Sequence, residues 1–277
     1  MYYKYARALP ALALLALLLL PAAHAWDQDA TRLAYSLQWD KGVVIVLNHR
    51  DREYGTGWFI DPRYVVTAKH VVGDAANDQI EIVKGDFRTH ARVVAIDSQH
   101  DIAILELDQP YRDAHVFPLK ARPEKGETIY VIGFPYELAI LQGYDWKRIS
   151  MNPRAAAGTA SWYDQHRMLI EIGTYTDAGN SGGPVVDENG NAIGLITFAL
   201  EGRAATLYFA TSAEKVIELC QRYNIPFVPA QENMALTPWD SGGAGAGPDP
   251  RLKWMLAGAG AVAIAAIAVP LALARRR

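Results

Sequence analysis

Gly179-Asn180-Ser181-Gly182-Gly183-Pro184 is the segment of the chain best suited to chemistry. A serine set among glycines after an apolar run has an exposed hydroxyl and uncommitted backbone amides, the construction of an acyl-transfer nucleophile. A serine hydroxyl reacts slowly by itself. It needs a base to take its proton, a group that orients the base, and donors for the oxyanion that forms on the attacked carbonyl. Thr67-Ala68-Lys69-His70-Val71-Val72 supplies an imidazole at the end of an apolar strand, and His100-Asp101-Ile102-Ala103-Ile104-Leu105 a carboxylate at the mouth of another. Imidazoles titrate close to neutrality, so one can accept the serine proton and return it to a leaving amine. A carboxylate opening an otherwise buried strand needs a partner, and an imidazole is one. His49, His90, His100, His115 and His166 show no ligand spacing, and with Cys220 as the single cysteine the reading is no metal and no cofactor.

Such groups must be carried on a scaffold that brings distant segments together. Short apolar or alternating runs dominate the middle of the chain: 43–47, 57–60, 64–68, 80–83, 91–96 and 102–107, then 128–133, 158–162, 168–172, 184–186, 192–198 and 205–210. With turns every eight to twelve residues or so, these are the strands of an all-β protein. Two six-stranded antiparallel Greek-key β-barrels are predicted, about 40–118 and about 125–210, joined by the proline- and charge-rich stretch 108–124. Asn189-Gly190 is expected to supply the positive φ angles of a tight hairpin. Thr211-Ser212-Ala213-Glu214 reads as a capping box, and Ala213, Val216, Ile217 and Cys220 recur at helical spacing, so a C-terminal helix is expected over about 212–223, with Cys220 packed in the core.

The ends read differently. Residues 1–25 hold Lys4 and Arg7, an apolar run and Ala23-His24-Ala25, the three-part layout of a signal peptide, so the mature chain is expected to begin at Trp26. Residues 229–254, rich in glycine and proline, form a flexible tether. Residues 255–274 carry no charge over a length that spans the hydrocarbon core and are followed by Arg275-Arg276-Arg277, a transmembrane helix with a cytoplasmic basic end. A sorting signal removed after export is the alternative for this tail. Ala257, Gly260, Ala261 and Ala265 would allow close approach of two such helices, hence a homo-oligomer. The formal charge of −3 gives no reason to expect nucleic acid as a partner.

The three motifs, in the order His70, Asp101, Ser181, resemble those of the trypsin-like serine proteases, and within them the disulfide-free bacterial HtrA/Deg-like branch. Gly55-Thr56-Gly57-Trp58-Phe59-Ile60, Val131-Ile132-Gly133-Phe134-Pro135, Gly158-Thr159-Ala160-Ser161 and Tyr208-Phe209-Ala210 extend the resemblance over roughly residues 40 to 225. It implies a protease domain over 26–228, with Ser181 as nucleophile, His70 as general base, Asp101 orienting it, and the N–H groups of Gly179 and Ser181 as the oxyanion hole. It also implies that Tyr175, Thr176, Asp177 and Ala178 line one wall of the substrate pocket, and Thr197, Phe198 and Ala199 the other. The stretch from Thr176 to Gly179 is shorter than in typical HtrA proteases, and the tether is too short for the PDZ domain they commonly carry. Asn180 stands where animal trypsins have an aspartate that pairs with a newly cut N-terminus, so activation by that route is not expected.

The expected activity is therefore hydrolysis of peptide bonds in exported proteins through an acyl-enzyme, by a periplasmic catalytic domain anchored in the bacterial inner membrane. An idle peptide-binding or chaperone module on the same fold and an esterase are the rival readings.

Overall fold

In the computed structural model, which describes residues 27–201 and 206–231, the strands close into two six-stranded antiparallel barrels. The first holds β1 (Val43–Asn48), β2 (Glu53–Asp61), β3 (Tyr64–Ala68), β4 (Ile80–Lys84), β5 (Phe87–Asp97) and β6 (Ile102–Leu107). The second holds β7 (Thr128–Gly133), β8 (Arg154–Asp164), β9 (Leu169–Ile172), β10 (Pro184–Asp187), β11 (Ala192–Glu201) and β12 (Thr206–Ser212). Both barrels repeat one order: first, second, third, sixth, fifth, fourth, with the fourth returning to pair with the first. The fourth strand thus returns to lie beside the first, giving the spatial order fourth, first, second, third of a Greek key, and closure leaves neither sheet with an open edge.

The strand patterns follow from what each face meets. Val44 and Val46 point into the first barrel with Phe59, Val65, Ile82 and Leu105. Their neighbours Val43, Ile45 and Leu47 point the other way and pack with Trp58, Ile104, Ile132, Phe134 and Leu195 between the barrels. A strand alternates its side chains between two faces, so β1 is apolar throughout because both of its faces are covered. The second barrel has its own interior of Ile129, Val131, Ile170, Val185, Ile193 and Ile196. Fully burying one such aliphatic side chain stabilises by roughly 1.5–3 kcal/mol, so the layer between the barrels fixes their mutual position as firmly as each interior fixes its barrel.

Helices finish the packing: α1 (Gln28–Ser36), α2 (Lys69–Val72), α3 (Tyr136–Leu141), α4 (Trp146–Ser150) and α5 (Ala213–Tyr223). Helix α1, not foreseen from the sequence, is capped by Asp27, whose carboxylate accepts the N–H groups of Asp29 and Ala30 at 2.9 Å, and Thr31 ties it to Ala155 on β8. Helix α5 buries Val216, Leu219 and Cys220, and Asn224 in the left-handed region ends it. The link between the barrels is pinned to both: Phe117 N–H donates to Phe59 at 3.1 Å and Lys120 N–H to Ala192 at 2.9 Å.

Two local expectations need correction. At the hairpin after β10 only Gly190 has a positive φ (78°), because the Asp187 carboxylate accepts the N–H groups of Asn189 and Asn191 and shapes a wider loop. At α5 the N-cap is Ser212 and not Thr211, whose hydroxyl goes to the His100 carbonyl; Glu214 stands one position earlier than a capping box needs, its N–H held by Ser212 and its carboxylate by Arg122 and Tyr163. Among the described residues no helix is long and apolar enough to cross a membrane. The expected signal peptide, most of the tether, the apolar run 255–274 and the terminal arginines lie outside the described residues.

Candidate active site

His70 sits in the single turn of α2, just beyond β3, rather than in the strand itself. Asp101 precedes β6 with φ 58°, and this one residue holds His70 by two bonds and its neighbour Lys69 by a third. Asp101 Oδ2 lies 2.6 Å from His70 Nδ1, Oδ1 accepts the His70 backbone N–H at 2.9 Å, and the Asp101 carbonyl accepts Lys69 N–H at 3.0 Å. A carboxylate facing Nδ1 fixes the imidazole tautomer with its proton there, which leaves Nε2 as the proton acceptor. Both side chains remain about one third exposed, so the imidazole is open to a substrate.

The turn that carries Asp101 is held by a second carboxylate–imidazole pair. Asp97 accepts the N–H groups of Gln99 and His100 at 2.9 and 3.1 Å and the His100 ring at 2.7 Å. Burial alone would raise the Asp97 carboxyl, but the His100 ring and backbone bonds outweigh it and hold it below its ordinary value. From the second barrel, Thr211 donates its hydroxyl to the His100 carbonyl at 2.8 Å. The spacing of three between Asp97 and His100 is the only local sign of this pair that the sequence offers.

Ser181 is carried into the cleft between the barrels by its neighbours. Thr56 N–H donates to the Ser181 carbonyl at 2.9 Å, and Gly182 N–H donates to Ile196 on β11 at 2.7 Å. Gly182 has φ 83°, and a Cβ there would lie 2.4 Å from Thr56 O and 2.6 Å from Ala68 N, two residues before His70. Only glycine allows this approach, which seats the serine loop against the strand end that bears the histidine.

The carbonyls of the loop are all engaged. Ala178 O accepts Tyr136 N–H at 2.8 Å, Gly179 O accepts the Thr56 hydroxyl at 2.7 Å, and Asn180 O accepts Gly183 N–H at 2.8 Å. Amide and carbonyl of one peptide point in opposite directions. Fixing Ala178 O and Asn180 O therefore aims Gly179 N–H and Ser181 N–H away from those contacts, and among the described residues neither amide donates to an acceptor. Gly179 has φ 90°, and a Cβ there would meet Phe134 O at 2.3 Å. Two uncommitted amides beside a serine are what a developing oxyanion requires.

The two expected walls of the pocket come side by side. Tyr175 packs edge-on against Tyr208 with ring centroids 5.6 Å apart, and Tyr208 pairs with Ala199 on β11. Thr197 is buried at the register shift of β11, Phe198 stacks on Phe209 at 5.0 Å, and Ala199 is exposed. Thr176 is buried, and Asp177 and Ala178 are half-buried. Asp177 is unusual: burial first, and then contact with the Glu137 carboxyl, push it up to about 7 against the opposing hydrogen bonds from Ala178 N–H and Tyr175. Glu137 on α3 was not singled out from the sequence, since its short helix carries no motif.

These features define a two-barrel protein with a histidine–aspartate pair and a glycine-rich serine loop between the barrels. Residues 55–195 match the trypsin-like peptidase domain, and the chain belongs to that family. It is similar to the serine endoprotease DegS of Escherichia coli K12, 32% identical over 158 residues that cover 54% of this chain and 41% of DegS. It is also similar to a DegP-like periplasmic serine endoprotease of Bartonella henselae, 28% identical over 181 residues, 63% of this chain and 34% of that protein. The chain thus spans less than half the length of these curated relatives. The active form of the Rv3671c protease of Mycobacterium tuberculosis shares the fold, with a TM-score of 0.57 and 22% identity over 75% of this chain and 91% of that one.

Proposed function

We propose that the chain is a serine endopeptidase in which His70 takes the proton of Ser181 as its hydroxyl attacks a peptide carbonyl. The tetrahedral oxyanion is received by Gly179 N–H and Ser181 N–H, the imidazolium is stabilised by Asp101, and His70 then protonates the leaving amine. Water, deprotonated by the same imidazole, releases the acyl group and restores the serine. The substrate before the cut lies between Tyr175–Ala178 and Thr197–Ala199.

The observation that carries this reading is the 2.6 Å contact of His70 Nδ1 with Asp101, set in a cleft whose serine loop leaves two amides uncommitted. A structural role for the same loop gives no reason to leave two of its amides undonated. The leader and the apolar tail of the sequence support a catalytic domain exported to the periplasm and anchored in the inner membrane, acting on exported proteins. Purified full chain, offered fluorogenic peptides and esters side by side, should cleave peptides, and Ser181→Ala should abolish the cleavage. Peptide turnover that persists in Ser181→Ala overturns the assignment, and turnover confined to esters overturns the peptidase.

A further inference from the structure

We propose that a proton shared between Glu137 and Asp177 latches the oxyanion loop, making both carboxyls positioning residues for Gly179 N–H and tying activity to pH. The inference rests on the reading of Gly179 as an oxyanion donor.

The two carboxyls flank one hydrogen bond. Glu137 follows Tyr136, whose N–H donates to the Ala178 carbonyl at 2.8 Å, and Asp177 precedes Ala178. That bond aims the Ala178–Gly179 peptide, with its N–H on the side of Ser181. Asp177 is further tied to the loop, because its carbonyl accepts Asn180 N–H at 3.0 Å and its carboxylate accepts Ala178 N–H. Burial, and then Glu137, exposed on α3, raise the Asp177 carboxyl, while hydrogen bonds from Ala178 N–H and Tyr175 oppose them, and Asp177 Oδ2 is buried without a hydrogen-bond partner. A single proton between them satisfies this buried oxygen and turns a repulsion into a bond.

Among the described residues, the other titratable groups facing Asp177 are phenols: Tyr175 from its own segment, Tyr208 from β12 and Tyr54 from β2. Burial raises all three, Tyr175 to about 12, so they stay neutral across the physiological range and the carboxyl pair sets the response. With Asp177 held up to about 7, the latch is closed in mildly acidic solution and opens as pH rises above neutrality. Ionisation of both carboxyls then drives α3 and the loop apart, breaks the Tyr136–Ala178 bond and lets the Gly179 amide turn out of the hole.

The test is the pH dependence of Ser181 labelling by a fluorophosphonate on the full chain, with Glu137→Gln and Asp177→Asn beside the wild type. In each variant an amide N–H replaces the shared proton and cannot be titrated away. The wild-type rate should fall above about pH 7 toward the roughly hundredfold deficit of a lost oxyanion donor. In Glu137→Gln the ratio of the rate at about pH 8.5 to that at about pH 6.5 should rise at least about tenfold over the wild type, with Asp177→Asn giving the same direction. Equal ratios in wild type and both variants overturn the latch while leaving Ser181 as the nucleophile. Absence of labelling at every pH overturns the nucleophile and the latch together.

Discussion

Thr56 in the first barrel donates its hydroxyl to the carbonyl of Gly179 in the second at 2.7 Å, and the same oxygen accepts Phe134 N–H at 3.2 Å. One buried hydroxyl therefore joins the two barrels and orients a peptide of the serine loop. Thr56→Val, which keeps the shape and removes the hydroxyl, should leave both partners unsatisfied. The expected cost is about 1–3 kcal/mol of stability, read by denaturant titration, together with slower fluorophosphonate labelling. Thr56→Ser should restore much of both. Unaltered labelling in Thr56→Val would show that the Gly179 carbonyl does not need this anchor.

Among the described residues Ser181 Oγ makes no hydrogen bond, so Ser181→Ala should melt within a few degrees of the wild type while labelling and peptide cleavage disappear. Residues that act as one unit lose their effect once. His70→Ala combined with Ser181→Ala should therefore cost little more than either change alone. Losses that multiply would separate His70 from the proton transfer.

The Asp97–His100 pair should matter to the rate through Asp101. His100→Ala removes the 2.7 Å bond and frees the turn, and a misplacement of Asp101 approaching 1 Å lowers the labelling rate by up to about a hundredfold. The pair also has a pH signature. The Asp97 carboxyl is held below its ordinary value, so its stabilising contribution is present above the ordinary carboxylate range and is lost as pH falls through its folded value. The stability difference between wild type and His100→Ala should accordingly shrink below about pH 4. A difference that stays constant to lower pH would mean that His100 acts through packing alone.

Asp177 has the opposite sign. Its folded value is raised, so no penalty exists in acid, and destabilisation accumulates as pH rises from about 4 to about 7. Melting temperatures of the wild type should decline over that interval relative to Asp177→Asn. Parallel melting curves would exclude a raised carboxyl at this position.

Gly182→Ala tests the approach of the loop to β3. The new Cβ would meet backbone atoms of Thr56 and Ala68 at 2.4 and 2.6 Å, in a region of φ that side chains avoid. The variant should lose labelling and be destabilised by a few kcal/mol, measured by chemical denaturation. Wild-type stability would mean that the loop can stand off from β3 without consequence.

Much of the architecture could be read locally. Period-two runs marked the strands, and β3, β6 and β7 begin and end where the apolar runs do. Longer strands such as β8 extend past their apolar centres because ladder hydrogen bonds continue where side chains turn polar or exposed. Helices α3 and α4 were not legible, since five or six residues are too few to display a helical period. For the candidate site, the sequence marked His70, Asp101 and Ser181 through the residues around each, because glycine content and strand ends are local properties. It carried no sign of Thr56, Thr211 or Glu137 as supports, because their partners stand 123, 111 and 40 positions away.

By itself, then, the sequence determined the residue types able to perform acyl transfer, the two sets of six strands and the glycines at Gly179 and Gly182 that tolerate positive φ. Tertiary structure alone decided which amides of the serine loop stay uncommitted, that Asp97 and His100 brace Asp101, and that Glu137 lies on Asp177. These depend on hydrogen bonds and charges that meet across the cleft between two closed barrels. Such meetings are set by the packed layer of β1, β7 and their neighbours, and by no property of the segments taken one at a time.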